Sequence, residues 1–453
     1  MKKIFILIVA LLLLVCAVLL WKSGIILDKR RPNVALIIID TLRADKLGCY
    51  GFPHDTSPEI DNLAKQGVLF ERTISQCSWT RPSIGSMLTS LYPRSIGIYK
   101  ERWDALNESY LTLAEILNEN GYFTIGLTAN PFINSVFNFQ QGFDDYSDSS
   151  VIFPEMKSEP GKTVATSTFD NLLRSAIILN GALDKAKACS QFPAYIQILI
   201  MEVHTPVLIR DEFHGTFKGL EHSDYYDAIR QVSHDIDRFI ERLLTISGWE
   251  DTLFILTSDH GEGLSDHPDV FDSTGHGNLL YESQVRVPLI FYHPDHSKDT
   301  FKNQRIKRGV RLLDLMPTIL EYVHVPIPDD IEGKSLLGLI DGSKQDIELP
   351  NFFVTETNWN KVDKIGVYSG RWKYIENRDQ WPGVNPYELQ AVGVRENGKV
   401  TDRIDREPEM GEELKKYLNL WEDLYKKVDS SSFNGKRPSK KELDQLKALG
   451  YIK

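Results

Sequence analysis

Two stretches of this chain leave little freedom in how it can fold. "NVALIII" (Asn33 to Ile39) and "DTLFILT" (Asp251 to Thr257) carry apolar runs with no polar alternation, Val34 to Ile39 and Leu253 to Leu256. A strand with one wet face alternates apolar and polar residues, so a run without alternation needs cover on both faces. Such strands belong in the middle of a mostly parallel sheet with helices on either side. The rest of the chain supplies those layers. "SPEIDNLAKQG" reads as a helix with Ser57 as N-cap, Pro58 in the first turn and Gly67 as terminator. "LTLAEILNENG" is a helix stopped at Gly121, and "YFTIGLTAN" is the strand after it. "PAYIQILIMEVH" reads as a strand ending on His204, "YYDAIRQVSHDIDRFIERLLTISG" as a long amphipathic helix, and "RGVRLLDLMPTILEYV" as another helix. Strands alternating with helices predict an α/β fold, a mostly parallel sheet sandwiched by helices over 33–345.

From about Asn351 the texture changes. "FFVTET", "KIGVYSG" and "RWKYIENR" are short and separated by turn residues, which predicts a small antiparallel sheet. The charged helix "EMGEELKKYLNLWEDLYKKV" follows. Residues 346–453 therefore read as a small C-terminal α+β subdomain. At the other end, Ile4 to Trp21 is an uncharged apolar run long enough to cross a bilayer, with no small-x-small cleavage site after it. It predicts an N-terminal membrane anchor over 1–22, with a linker over 23–32 and the main domain extracytoplasmic. The alternative is a cleaved secretion signal. Lys2 and Lys3 before the run and Lys22, Lys29, Arg30 and Arg31 after it leave orientation undecided by charge. The net charge of −11 argues against a nucleic-acid binder, which needs a basic stripe. Three cysteines in the main domain are not a disulfide framework.

Polar residues stand where the apolar strands run out: Asp40, His204, Asp259 and His260. In α/β sheets that edge is where ligands bind. Two carboxylates and an imidazole suit one divalent metal ion, Mn2+ or Zn2+ in preference to Ca2+, which takes oxygen ligands. Each residue alone would as readily cap the next helix. His276, in the Gly-flanked "GHG", can join the set with His204, whereas His267, His293 and His296 read as surface residues. The stretch "QCSWTRPSIGSMLTSLYP" offers two nucleophiles, Cys77 and Thr80, beside Arg81 and Pro82 at a helix start. A hydroxyl needs a metal or a base to react, and helix N-terminal amides would support an anion carried on it. The competing reading of Thr80 is a helix N-cap.

In this order, "NVALIIIDTLRADKLGCYG", "CSWTRPSIGSMLTSLYPRSIG", "LTANPF", "EVHTPV", "LFILTSDHGEGL", "GHGNLLYESQVRVPLIFY" and "LLDLMPTILEYVHVPIPDDIEGKSLL" resemble the sulfatase family of the alkaline phosphatase superfamily, from about Asn33 to the C-terminus. The resemblance implies a single-metal site with Asp40, Asp259 and His260 as ligands, Thr80 at the nucleophile position, and His204 and His276 on substrate or leaving group. Arg43, Arg81 and Asn130 are carried over as substrate-binding residues. Family members that cleave sulfate esters read C-x-P-S-R, with the Cys matured to formylglycine. Here Leu88 and Thr89 keep the family spacing from Thr80, and Pro82 and Ser83 match its "PS". Thr80 therefore takes the modified position, the motif's Arg is Ile84, and a Lys usual after the "GYxT" strand is missing from "LTANPF". Cys77 is left as the alternative modified residue, without the proline that formylglycine formation needs.

A formylglycine hydrate expels sulfate by collapsing to the aldehyde. A threonine ester has no such exit, whereas a phospho-threonine can be resolved by attack at phosphorus. The chain is thus expected to be a metal-dependent hydrolase or phosphotransferase acting on phosphate mono- or diesters of a small molecule, glycan or lipid headgroup. The alternatives are a sulfuric ester hydrolase and a catalytically silent anion-binding member.

Overall fold

The computed structural model describes residues 31–98, 104–149, 175–207, 209–267, 273–295, 299–343, 349, 352–359, 362–378, 385–393 and 401–431. At its centre is an eight-stranded sheet. In spatial order its strands are β10 (Gln304–Ile306), β2 (Val68–Phe70), β9 (Leu289–Tyr292), β7 (Thr252–Thr257), β1 (Asn33–Ile39), β6 (Ala194–Ile200), β4 (Phe123–Thr128) and β5 (Asp145–Ser147). The five strands from β7 to β5 are mutually parallel, and β9 runs against both its neighbours. All residues of β1, β6 and β7 are buried, which is the two-sided cover their sequence demands. The register sets Ile38 opposite both Leu199 and Thr257, so the three central strands finish at one edge.

Helices supply the cover. The helix α1 (Pro58–Gln66) packs on α5 (Ser223–Leu244), which also packs on α4 (Ser175–Ala188); α4 lies against β6 and β4. A second group is formed by α2 (Thr80–Thr89), α3 (Leu113–Glu119) and α6 (Leu315–Tyr322). Thr112 caps α3 in a reciprocal box with Glu115, and the chain leaves it through Gly121 at φ 86°. Two expected boundaries move. Strand β6 stops at Ile200 rather than at His204, because the chain turns off the sheet edge at Met201 to His204. Val310 and Arg311 form a short strand, β11, not the start of a helix. Together with β3 (Thr73–Ile74) and β8 (Arg286–Val287) it makes a three-stranded sheet, where tertiary pairing outweighs helical periodicity.

The C-terminal part is an antiparallel meander of β12 (Phe352–Thr357), β13 (Lys364–Ser369), β14 (Trp372–Asn377) and β15 (Tyr387–Ala391), with α7 (Pro408–Ser431) packed on β13 and β14. Leu414, Leu418 and Trp421 recur at helical spacing and bury against Val354, Ile365, Val367 and Leu389. Burial of this kind is worth about 1.5–3 kcal/mol per large side chain. Ile375, Phe353 and Tyr368 meet Ile74, Leu280 and Val285 of the main domain in a separate cluster. An isolated bridge between Cys77 and Glu356 also ties the meander to the segment leading into α2.

The membrane-anchored, extracytoplasmic placement expected from the sequence is corrected here. No helix among the described residues is long and apolar enough to cross a membrane. The long helix α5 is amphipathic, with Asp224, Arg230, Asp237, Arg238 and Glu241 along it. The apolar run Ile4 to Trp21 and the linker to residue 30 lie outside the described residues.

Candidate active site

Asp40 follows the last residue of β1 and continues the ladder one step, its N–H donating to Ile200 O at 2.9 Å. Asp259 and His260 follow β7 closely, and all three side chains are fully buried. Parallel register brings them together: one ligand atom from each lies within 4.8 Å of the others. Thr41, directly after Asp40, holds a left-handed φ of 59°. That conformation costs a β-branched residue about 1–3 kcal/mol. It is retained because Tyr225 donates to Thr41 O at 2.8 Å and Thr41 N–H donates to the Asp259 carboxylate at 3.3 Å.

The chemistry of this trio fits a cation. Nδ1 of His260 lies 2.9 Å from Gly261 O. A carbonyl only accepts, so Nδ1 carries the proton and Nε2 presents a lone pair. Nε2 lies 3.3 Å from Asp259 Oδ2 and 3.7 Å from Asp40 Oδ1. Neither of those carboxylate oxygens has a hydrogen-bond donor. Three electron pairs therefore converge in a buried space. Burial, and then Asp259, push the Asp40 carboxyl well above its usual range, while burial followed by His276 pulls His260 down to about 3. A divalent cation would remove both penalties.

Thr80 opens α2, with Trp79 as the N-cap residue and no side-chain cap, so the capping role is not the one its hydroxyl takes. Oγ1 lies 3.3 Å from His260 Nε2 and accepts from Asn130 Nδ2 at 3.2 Å. The same Asn130 amide donates to Asp40 Oδ2 at 2.6 Å, and Asn130 Oδ1 is held by Phe132 N–H at 2.8 Å. Ser83, one turn along, donates to Asp259 O at 2.6 Å and so fixes α2 to the loop after β7.

His276 and His204 complete the cleft. The His276 ring is 4.6 Å from that of His260 and 5.0 Å from that of His204. Its Nδ1 lies 3.1 Å from Glu262 Oε2. Burial works against a charge on His276, yet Glu262 beside it, with Asp40 and Asp259, raises its pKa overall. His204 is pulled down to about 4 by burial and then by His276. Their neighbours thus shift the two imidazoles in opposite directions.

The two arginines expected at the substrate are held by neighbouring groups of the protein. Arg43 bonds Asp45 at 2.9 and 2.8 Å, Asp266 at 2.6 Å, Glu262 O at 3.1 Å and Gly263 O at 3.3 Å. Arg81 donates to Phe132 O at 2.8 Å and its guanidinium stacks 3.5 Å over the Phe137 ring. Cys77 is buried in its bridge with Glu356, where burial pushes its thiol far up. His293, read as a surface residue, is buried with Nε2 3.0 Å from Asp251. Sequence reading missed Glu262, whose only signal was an acidic residue two places after His260. It also missed Trp359, whose ring lies 4.9 Å from that of Trp79, next to Thr80.

The chain is similar to known proteins. A family profile described as "Sulfatase" matches residues 32–325, and one described as "N-sulphoglucosamine sulphohydrolase, C-terminal" matches residues 272–419. An arylsulfatase of Clostridium perfringens is 23% identical over 387 residues, covering 69% of this chain and 79% of that protein. A solved structure described as bound to its substrate D-glucosamine-2-N,6-O-disulfate superimposes with a TM-score of 0.72 at 17% identity, over 89% of this chain and 100% of the other. The phosphonate monoester hydrolase of Agrobacterium radiobacter gives a TM-score of 0.69 at 17% identity, over 87% and 96%. At such identities the structural likeness speaks to the fold alone.

Proposed function

This chain belongs to the sulfatase family, and on that premise we propose that it cleaves or transfers phosphate mono- or diesters with Thr80 as nucleophile. The observation that carries this reading is the position of Thr80 Oγ1, 3.3 Å from His260 Nε2 and 3.2 Å from Asn130 Nδ2, in contact with residues that converge on one cation site. Asp40, Asp259 and His260 would hold a metal, and their mixed oxygen and nitrogen donor set would favour Mn2+ or Zn2+. A cation bound there would lower the pKa of the Thr80 hydroxyl and neutralise charge on the ester oxygens.

The residues then divide the work. Asn130 fixes the Thr80 oxygen relative to Asp40. Thr80, its proton lost to water, attacks phosphorus; an Oγ–P bond forms as the bond from phosphorus to the leaving oxygen breaks. His276, oriented by Glu262, which favours its protonated form, gives a proton to that leaving oxygen. Neutral His204 accepts a hydrogen bond from the substrate beside it. Attack of water or another alcohol at phosphorus then breaks the Oγ–P bond and restores Thr80.

A second reading, hydrolysis of sulfuric esters, is favoured by relatives such as the arylsulfatase of Clostridium perfringens. It requires Thr80, not Cys77, to serve without the aldehyde exit. Nitrophenyl phosphate, phosphodiester and sulfate esters, each with Mn2+, Zn2+ and Ca2+, test both readings on the wild type and Thr80→Ala. Phosphoester turnover that vanishes in the variant is expected. Turnover of sulfate ester alone would overturn the phosphate preference, and turnover unchanged by the substitution would overturn the nucleophile.

A further inference from the structure

The loops that carry His260 and His276 both tie back to one helical turn, Glu282–Val285, which runs directly into β8. Gly261 N–H donates to Gln284 O at 2.8 Å, and Ser75 N–H, on the segment leading to Thr80, donates to Val285 O at 2.8 Å. Gln284 is fully buried. Its side-chain amide reaches the His276 loop: Nε2 donates to Gly275 O at 2.9 Å, and Oε1 accepts from Leu279 N–H at 3.2 Å. A carbonyl only accepts and a peptide N–H only donates, so these partners fix which end of the amide faces which. The chain is thus gripped on both sides of His276. Space between the two loops is tight. Gly263 N–H also donates to Gly275 O, at 3.0 Å, while a Cβ on Gly261 would fall into Ser283 O and one on Gly263 into Ser273 O. Glycine at both positions lets the loops meet.

We propose that the Gln284 side chain is a positioning residue for the leaving-group step: it holds the His276 loop in register with the His260 loop and so sets where His276 presents its proton. This rests on the ester-cleaving reading above and adds the residue that places its acid. Glu262 turns the His276 ring through the 3.1 Å contact with Nδ1, but the reach of the ring follows the backbone that carries it. That backbone is held on either side by the Gln284 amide. Proton transfer needs hydrogen-bond reach, and a misplacement of about 1 Å costs about a hundredfold in rate. The two ends of Gln284 have separate effects. Its backbone oxygen serves Gly261 whatever the side chain, so loss of the amide frees the His276 loop and leaves Asp40, Asp259 and His260 in place.

The test measures kcat/KM, which reports every step up to departure of the alcohol, for methyl phosphate and nitrophenyl phosphate. Wild type, Gln284→Met and Gln284→Glu are compared in the presence of Mn2+. Methionine keeps the length and loses both bonds; glutamate keeps the acceptor for Leu279 and sets an oxygen against Gly275 O. Methoxide needs a proton to leave, and nitrophenolate does not. The expected result is a kcat/KM for methyl phosphate lowered about a hundredfold in both variants, with the nitrophenyl ester little affected. Equal losses on the two esters, which a merely structural role would give, or no loss on methyl phosphate would overturn the proposal. Should the wild type cleave neither ester, the ester-cleaving reading fails on its own. Hydrogen exchange read by mass spectrometry then decides the role of the amide. Protection over 275–280 in the wild type that is lost in Gln284→Met, with 259–262 unchanged, supports it. A wild type already unprotected over 275–280, or a variant that exchanges like the wild type, overturns it.

Discussion

The hydroxyl oxygen of Thr80 stands 3.3 Å from Nε2 of His260, the ring nitrogen left with a lone pair because its partner nitrogen faces Gly261 O at 2.9 Å. A hydroxyl oxygen and a ring nitrogen thus share one small space with two carboxylate oxygens that have no donor, Asp40 Oδ1 and Asp259 Oδ2. The protein without metal carries the repulsion of that arrangement. Added Mn2+ or Zn2+ is expected to raise the Tm by several degrees, with a smaller rise in Asp259→Asn, followed by scanning calorimetry after chelation. A Tm indifferent to every divalent ion would remove the metal from the account.

Arg43 acts as a cross-link between the loop after β1 and the loop after β7. It is 1% exposed and its guanidinium holds Asp45, Asp266 and two carbonyls. Arg43→Ala is expected to cost about 3 kcal/mol in denaturant unfolding, because carboxylates and carbonyls lose their buried partner. Arg43→Lys should lose part of this, since one ammonium cannot span the same fork. An unchanged stability would mean the guanidinium is kept for substrate instead.

Cys77 is placed in packing rather than chemistry. Its exposure is 1% and burial holds the thiol in its protonated form. Cys77→Ala should cost about 1–2 kcal/mol of stability and leave kcat/KM within twofold. Intact mass and peptide mapping should find an ordinary thiol. Lost activity together with a formylglycine at position 77 would contradict this.

Glu202 contributes a pH dependence that is separate from turnover. Burial pushes its carboxyl up to about 8 from an ordinary 4.5. Between those two values the folded protein keeps a proton that the unfolded chain releases, so stability falls as pH rises from about 4.5 to about 8. Glu202→Gln removes the ionisable group. It is expected to match the wild type at pH 4.5 and to be more stable by on the order of 3 kcal/mol at pH 8, read from urea unfolding at both pH values. A constant difference across the range would refute the assignment.

Much of the scaffold was legible in the chain. Asn33 to Ile39 is strand β1 to the residue, because six consecutive apolar residues after Asn33 have few other places to go. Asp40 and Asp259 stood out for the same reason, as charges at the ends of such runs. His204 was credited to a strand that ends four residues earlier, since "MEVH" prolongs the apolar pattern past the sheet edge. Glu262 and Trp359 were hidden. Glu262 finds its partner His276 14 residues on, and Trp359, just beyond β12, reaches Trp79, just before α2; neither contact leaves a periodicity to read. The arginines were carried over from the family resemblance, which does not reveal the carboxylates, carbonyls and ring that hold them here.

The most direct test of the account is to trap the intermediate. Metal-loaded protein is mixed with excess phosphoester, quenched in acid within one turnover, digested and mapped by mass spectrometry. A phosphoryl group on the Thr80 hydroxyl, absent from Thr80→Ala, is the predicted result. An adduct on any other residue, or full turnover by Thr80→Ala, would contradict it.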